Sequence, residues 1–124
     1  FSGKMRKLLL GLDLGSSSVK ACILDADTGK ALASKAFPEV EMPIQSPQSG
    51  WAEQDPELWW KHVKEAIRYV CGQTEVRSGE LRSIGIAYQM HGLVCVNKEY
   101  QVLRPSIIWC DSRAVALGEK HSKP

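Results

Sequence analysis

The sequence predicts an α/β domain with a mixed sheet, in which an antiparallel meander of three strands precedes parallel strands with crossover helices. Two observations predict it. Short apolar or alternating runs of strand length open the chain, and a longer segment in its middle has apolar residues at spacings of three and four, the period of a helix. A strand, a helix and a returning strand in that order bring the chain back parallel, through a right-handed connection.

The meander opens the chain. Its strands are predicted at residues 8–13, 19–25 and 31–37. The second strand alternates, with Val19, Ala21 and Ile23 on one face, and the turn that follows it carries Gly29, a residue typical of hairpin turns. Residues 38–50 contain three prolines and few apolar side chains, which indicates a surface loop.

A helix follows this loop. Its start is marked by Asp55 as N-cap, Pro56 at the first helical position and Glu57 at the positive end of the helix dipole. Gly72 is expected to end it. The apolar face of this helix consists of Trp59, Val63, Ala66, Ile67, Val70 and Cys71.

Beyond the helix, the pattern returns to strands. Ile84 and Ile86 fall on one face of the next strand. We expect that strand and a later one to run parallel to the first strand. The predicted elements are a strand at residues 81–88, a small hairpin around residues 97–99, a strand at residues 107–109 and a helix at residues 111–120.

Composition limits the function classes. The chain has 124 residues, enough for one domain with a real core, and 44% of them are hydrophobic. The net charge is +2 and no run of Lys or Arg occurs, so neither a nucleic-acid arm nor a membrane patch is predicted. The apolar run at residues 8–10 is too short for a signal peptide or a membrane span, and we expect a cytoplasmic protein.

The four cysteines have no spacing typical of a metal site, which indicates reduced thiols. They are Cys22, Cys71, Cys95 and Cys110.

Three polar segments follow the strands that are expected to be parallel. They are residues 13–18, 89–92 and 111–113. Open α/β sheets bind ligands outside the carboxyl ends of such strands. Because the segments lie far apart in sequence, their shared position predicts a site.

The first segment suits a phosphate group. Gly15, Ser16, Ser17 and Ser18 can direct backbone N–H groups and hydroxyls at anionic oxygens, and Asp13 can hold Mg²⁺ directly or through water. The Gly-Lys-Ser/Thr of a Walker loop is absent. The alternative interpretation is an ordinary hairpin turn with solvated serines.

The second segment suits a polyol. Gln89 and His91 each offer donor and acceptor atoms, and a sugar hydroxyl needs both. The alternative interpretation makes His91 a satisfied histidine at a strand end and Met90 a filler of the core.

The third segment places an acid two residues before a base, as Asp111 and Arg113. The alternative interpretation makes Asp111 the N-cap of the last helix, which does not exclude contact with a ligand. Trp51 and Glu53 are further candidates, because an indole packs well beside a sugar. Their alternative interpretation is that Trp51 packs the loop down while Glu53 is solvated.

These motifs together resemble the carbohydrate kinases of the xylulokinase and glycerol kinase family, which share the actin-like (ribonuclease H-like) fold of hexokinase. Residues 13–17 are similar to the first phosphate loop of that family, and residues 51–56 to the segment before its first long helix. Residues 89–92 resemble the sugar-binding motif of the xylulokinases, and Arg104-Pro105 followed by residues 109–113 resembles the family's W-x-D-x-R segment. The resemblance covers nearly the whole chain after Met5.

The resemblance implies transfer of the γ-phosphate of ATP, with Mg²⁺, to a ketopentose, D-xylulose, to give D-xylulose 5-phosphate. It implies that Asp13 lies near the metal and that residues 15–18 form the ATP phosphate loop. The substrate-binding residues implied are Gln89, Met90, His91, Gly92, Trp51, Glu53, Asp111 and Arg113.

The resemblance also has implications for the domain organisation and the partners of the chain. Residues 5–124 are expected to be the first part of the N-terminal actin-like domain, and residues 1–4 a cloning remnant. The expected partners are the sugar and the rest of the kinase chain, with a homodimer as one possible assembly. The family's catalytic base is an aspartate expected beyond residue 124, so we expect no kinase activity from this chain alone.

Three alternatives stay open. One is a sister kinase for gluconate, ribulose or another polyol, although Gly92 favours the xylulokinases where Ser would favour gluconate. Another is a non-catalytic sugar-binding or regulatory module. The last is a different actin-like protein, such as an acetate kinase or a chaperone-like ATPase, against which residues 51–60 and 89–92 argue.

Overall fold

The structure, a computed structural model, describes residues 3–122. Its elements are β1 (Leu8–Leu14), β2 (Val19–Asp25), β3 (Ala31–Phe37), β4 (Glu53–Gln54), α1 (Pro56–Gln73), β5 (Leu81–Tyr88), β6 (Ser106–Ile107) and α2 (Val115–His121). The expectation of a cloning remnant falls partly on Phe1 and Ser2, which lie outside the described residues.

The chain forms two compact units. Unit 1 comprises the described residues up to Met42 together with Trp59–Tyr88. Unit 2 comprises Pro43–Leu58 and the described residues from Gln89 onwards.

The sheet of unit 1 has four strands in the order β3-β2-β1-β5. β2 runs antiparallel to both of its neighbours, while β5 runs parallel to β1. The mixed sheet, the meander and the parallel return through α1 are therefore confirmed. Leu14 pairs with Tyr88, so β1 and β5 end at the same edge of the sheet.

The core of unit 1 lies between this sheet and α1. Val19, Ala21 and Ile23 are all buried, as the alternation of the second strand predicts. The helix contributes Val63, Ala66 and Val70 to the same cluster. Burial of these side chains is the main source of stability in unit 1, since each fully buried valine, leucine or isoleucine contributes about 1.5–3 kcal/mol.

The start of α1 is as predicted, but its end is not. The carboxylate of Asp55 accepts a hydrogen bond from Glu57 N at 2.9 Å, which is N-cap geometry. At the other end the helix continues past Gly72 to Gln73. It is closed by hydrogen bonds from Val76 N to Cys71 O and from Glu75 N to Gly72 O. The left-handed residue that this closure requires is Glu75, with φ 48°.

The strand β5 has the predicted bounds, and Ile84 and Ile86 share the face that carries Leu10 and Leu12. Both isoleucines are nevertheless more than half exposed, at 56% and 59%. The reason is that the core cluster formed with α1 is drawn mainly from β1 and β2.

The expectation for the Ile107 strand is wrong. β6 does not join the main sheet in parallel; it pairs antiparallel with β4 in a separate sheet of two strands. The hairpin around residues 97–99 is present, with Val96 bridged to Val102.

The last helix also starts later than expected. α2 begins at Val115, and its N-cap position is Ala114, which makes no side-chain cap. Asp111 therefore does not cap this helix, because its carboxylate is held by Ala52 N and Arg113 instead.

Two further observations concern the described residues as a group. No helix among residues 3–122 is long and apolar enough to cross a membrane. The four cysteines are free thiols, of which Cys110 is exposed while the other three are half-buried.

Candidate functional site

The loop between β1 and β2 carries the first predicted segment, and it belongs to unit 1. Gly15 N donates to Ser18 O at 3.0 Å, which closes the turn. The turn is anchored from outside, since Met42 N donates to Ser17 O at 2.8 Å. A Cβ at Gly15 would lie 3.1 Å from Ser18 O, closer than most side chains tolerate, so the turn is built for glycine.

Asp13 precedes this loop and is exposed. It pairs in register with Lys20 of β2, and directly opposite residues of an antiparallel pair project from the same face of a sheet. Both residues line a cavity of about 640 Å³ together with Cys22 and Ser34. The anionic side chain of Asp13 and the cationic side chain of Lys20 therefore flank the turn on the same face of the sheet.

Lys20 was missed at the sequence level, although a signal for it existed. A turn of residues 15–18 places Leu14 opposite Val19, and the next pair along the hairpin is then Asp13 with Lys20. The register of the hairpin, rather than any motif, identifies the lysine.

The second predicted segment lies at the start of the Gln89–Pro124 part of unit 2. Gln89 Oε1 is buried and has no hydrogen-bond partner among the described residues. Such an atom is costly unless a ligand or water donates to it. Met90 is 66% exposed, and His91 has φ 64°, a left-handed conformation that is uncommon for a residue other than glycine. Residues held in this way cluster at binding sites.

The third predicted segment forms an ion pair within itself. Arg113 donates from Nη2 to Asp111 Oδ2 at 2.7 Å and from Nε to Oδ1 at 3.0 Å. Asp111 Oδ2 also accepts from Ala52 N at 2.6 Å. The guanidinium of Arg113 holds the pKa of the Asp111 carboxyl well below its usual range, and the carboxylate raises the pKa of Arg113 in return. The charge on both groups is thus fixed at any ordinary pH.

Glu53 and Trp51 join this pair. Glu53 is buried rather than solvated, and its Oε1 accepts from Arg113 Nη2 at 2.8 Å. The guanidinium carbon of Arg113 lies 3.7 Å from the centre of the Trp51 ring, a stacking distance. Arg104, which was not a candidate, donates from Nη2 to the same oxygen of Glu53 at 2.6 Å. Two carboxylates and two guanidiniums form one cluster, which we call the Glu53 cluster: Glu53, Arg104, Asp111 and Arg113.

The backbone around the Glu53 cluster is also tied together. Ser112 donates to Gly50 O from its N at 2.8 Å and from its Oγ at 2.9 Å. Gly50 has φ 79°, and a Cβ there would lie 2.5 Å from Ser112 Oγ, so only glycine fits. The loop before α1 and the segment after β6 are therefore held against each other.

β6 lies between two of the predicted segments. Ile107 pairs with Glu53 on one side and bridges to Leu93, next to Gly92, on the other. Within unit 2, the structure thus brings Trp51, Glu53, Asp111 and Arg113 into direct contact, and it joins them to residues 89–92 through one short strand. The loop of residues 13–18 belongs to unit 1.

Metal ligands are sparse. Among residues 3–122, no group of three or more His, Cys, Asp and Glu side chains is placed to hold a metal ion. Asp13 could serve a magnesium ion whose other ligands are phosphate oxygens and water, which is how proteins usually hold this ion.

Comparisons with known proteins agree on one family. Residues 8–124 match the family model described as "FGGY family of carbohydrate kinases, N-terminal domain". The chain is 38% identical over 106 residues to the xylulose kinase of Klebsiella pneumoniae, an alignment that covers 86% of this chain and 21% of that protein. The chain thus spans about a fifth of the length of the curated relatives it matches.

Solved structures agree with this family. A "xyloylose kinase" from Brucella ovis superposes with a TM-score of 0.81 at 34% identity, covering 91% of this chain and 23% of that one. A gluconate kinase from Lactobacillus acidophilus superposes with a TM-score of 0.80 at 29% identity, covering 93% of this chain and 22% of that one. The actin-like α/β fold expected for the N-terminal part of such proteins is thereby confirmed.

Proposed function

This chain belongs to the FGGY family of carbohydrate kinases, and we propose that it supplies the first part of an ATP-dependent kinase that converts D-xylulose to D-xylulose 5-phosphate. Two of the proteins named above support the substrate, namely the xylulose kinase of Klebsiella pneumoniae and the xyloylose kinase of Brucella ovis. The observation in the molecule that carries the proposal is the buried acceptor Gln89 Oε1, which lacks a hydrogen-bond partner among the described residues and lies two residues before His91.

The phosphate-binding role falls to residues 13–18. In the turn closed between Gly15 and Ser18, a Cβ at Gly15 would crowd the backbone oxygen of Ser18 at 3.1 Å. A turn of this kind can approach a phosphate with its backbone N–H groups. Ser16, Ser17 and Ser18 add hydroxyls beside it.

Asp13 and Lys20 flank that turn with opposite charges. Asp13 would hold Mg²⁺ through its carboxylate or through water, and Lys20 would neutralise a phosphate oxygen from the opposite strand. When bound, MgATP supplies the phosphoryl group, and catalysis of its transfer depends mostly on positioning and charge stabilisation. Both residues lie on one face of the sheet and line one cavity.

The sugar-binding role falls to residues 89–92. Gln89 Oε1 would accept a hydrogen bond from a sugar hydroxyl, while the imidazole of His91 would donate or accept one. Met90 offers an exposed apolar side chain to the carbon face of the sugar. Gly92 follows His91 and lies against Ser106 and Ile107 of β6.

The remaining candidates border the sugar pocket. The carboxylates of Glu53 and Asp111 are engaged by arginines, so we assign them to the wall of the pocket along with Arg113. The guanidinium of Arg113 stacks on one face of the Trp51 ring, and we assign the opposite face to the sugar.

We assign no catalytic base within residues 3–122. The family's base is expected downstream, and the matched relatives are about five times longer than the alignment with this chain. ADP production by residues 5–124 in the presence of xylulose would contradict this assignment.

A substrate panel on the full-length kinase tests the proposal. ADP release is measured with D-xylulose, D-ribulose, D-gluconate and glycerol at equal concentrations. We expect kcat/KM for D-xylulose to exceed the others by about a hundredfold, the scale that a few polar contacts in a pocket can achieve. A preference for gluconate would favour the sister kinase, a candidate supported by the similarity to the gluconate kinase structure. Sugar binding without ADP release would favour a non-catalytic module.

A further inference from the structure

Arg104 lies two residues before the start of β6, and its side chain links that strand to β4 by a second route. The first route is the backbone, where Ile107 pairs with Glu53 and Ser106 with Gln54. The second is the side chain of Arg104, whose Nη2 lies 2.6 Å from Glu53 Oε1. A sheet of two strands with two residues each is too short to be stable by its backbone bonds alone. The side-chain link therefore matters more here than it would in a long sheet.

The position of β6 also determines the position of residues 92–93. Leu93 N donates to Ile107 O at 2.8 Å, and Ile107 N donates to Leu93 O at 3.2 Å. Gly92 lies against the same strand, since a Cβ there would be 3.7 Å from both Ile107 O and Ser106 Oγ. Any movement of β6 relative to β4 is thus carried to the residue that follows His91.

The charges of the Glu53 cluster explain why Arg104 is needed. Nη2 of Arg113 donates hydrogen bonds to both acids, to Glu53 Oε1 at 2.8 Å and to Asp111 Oδ2 at 2.7 Å. Without Arg104, two buried carboxylates would share one guanidinium, and a buried carboxylate that loses a cationic partner is strongly disfavoured. Arg104 itself has a side chain that is 42% exposed, so it can be shortened without opening a cavity in the core.

We propose that Arg104 is a positioning residue for the sugar site, which acts through Glu53 and β6 to hold Gly92 and His91 in place. The proposal rests on the assignment of residues 89–92 to the sugar. His91 has a left-handed backbone, and such a conformation persists only where the surrounding structure enforces it. The bridge between Leu93 and Ile107 begins two residues after His91.

The kinetic test uses Arg104→Met in the full-length kinase. A charge-assisted hydrogen bond of this kind corresponds to about a tenfold change in an equilibrium constant. We expect KM for D-xylulose to rise by about that factor, with kcat and the KM for ATP within about twofold, because loosening the site weakens the substrate and transition-state complexes alike. Arg104→Lys, which retains a cationic hydrogen-bond donor, should recover part of the loss. Arg68→Met, at an exposed position of α1, is the matched control and should change nothing.

A second readout does not depend on activity. Hydrogen exchange of the Leu93 and Ile107 amides should become faster by about tenfold in Arg104→Met, because both bonds lie on the far side of β6 from Glu53. If exchange rises while KM for the sugar is unchanged, Arg104 is merely structural and the proposal is overturned. An unchanged exchange rate also overturns it.

Different results would overturn the proposed function and the proposed role of Arg104. A wild-type enzyme that phosphorylates no sugar overturns the function, whereas an active wild type whose Arg104→Met variant has an unaltered sugar KM overturns only the role of Arg104. Should Arg104→Met fail to fold, the KM of Arg104→Lys for the sugar tests the proposal instead, with a smaller expected rise. A rise of about two- to threefold in sugar KM supports the proposal, and no rise overturns it.

Discussion

The carboxylate of Glu80 is wholly buried and is held by Arg6, whose Nη2 lies 2.8 Å from Glu80 Oε2. Arg77 completes the arrangement by donating its backbone N–H and its guanidinium to the same carboxylate. Arg6 Nη2 also donates to Thr74 O at 2.9 Å, in the turn that ends α1. One acid thus joins the segment before β1 to the end of the helix and to the start of β5.

Replacing Glu80 should destabilise unit 1. Glu80→Gln keeps the shape of the side chain but leaves the two guanidiniums without their anion, and breaking a buried pair by removing one partner is strongly unfavourable. We expect Tm to fall by roughly 5 °C or more in thermal unfolding followed by circular dichroism. Glu41→Gln, at an exposed position, is the matched control and should leave Tm unchanged. Equal Tm values for the two variants would show that Glu80 contributes nothing.

The same carboxylate should give the stability a dependence on pH. Hydrogen bonds from Arg6 and Arg77 hold the pKa of Glu80 well below its usual range. A carboxyl whose pKa is lowered by folding stabilises the protein above its unfolded pKa, about 4.3, and this contribution is lost as the pH falls below that value. Asp111, lowered chiefly by Arg113, adds in the same direction.

Unfolding measured as a function of pH tests this. The free energy of unfolding of the wild type should decrease between about pH 5 and pH 3, and that of Glu80→Gln should decrease less, because the variant has no proton to bind at this position. Parallel curves for the two proteins would mean that other carboxyl groups dominate acid unfolding.

The sequence predicted the start of α1 well because the signals for it are local. Asp55 and Pro56 act within one turn of the helix, and both have the predicted roles. The end of α1 was missed because Glu75, rather than Gly72, takes the left-handed conformation. A glutamate has no turn preference, so only the packing of the following segment determines where this helix ends.

The candidate site was also predictable only in part, where its signals are local in sequence. Residues 13–18 form the tight turn that Gly and Ser indicated, and Asp111 forms an ion pair with Arg113 as their proximity allowed. The partners of Glu53 could not be predicted, since β4 and β6 have two residues each and such strands show no periodicity. Burial of Glu53 follows from that pairing and from Arg104, which lies far away in sequence.

Gly15→Ala should impair ATP use without unfolding the protein. A Cβ at this position would lie 3.1 Å from the backbone oxygen of Ser18, so the loop must shift by a few tenths of an ångström. We expect KM for ATP in the full-length kinase to rise by about tenfold, because phosphate binding relies on placed backbone N–H groups. Gly72→Ala, where a Cβ meets nothing within 4 Å, is the control and should be neutral or slightly stabilising. An unchanged KM for ATP in Gly15→Ala would remove residues 13–18 from the phosphate site.

Two substitutions of His91 separate the side chain from the backbone. His91→Ala and His91→Gly both remove the imidazole, so both should raise KM for D-xylulose by about tenfold or more. They differ in the backbone, since φ is 64° at this position and alanine is disfavoured there by about 1 kcal/mol or more. We therefore expect His91→Gly to be the more stable of the two in urea unfolding, by about that amount.

Tyr100 provides the control for the backbone effect. It has φ 61° in the hairpin of unit 2 and lies outside the proposed sugar contacts. Tyr100→Gly should show a higher free energy of unfolding than Tyr100→Ala, as for His91, but neither should alter KM for the sugar. If both His91 variants kept the wild-type sugar KM, the imidazole would have no part in sugar binding. The left-handed backbone of His91 would then serve only the turn from β5 into the bridge at Leu93.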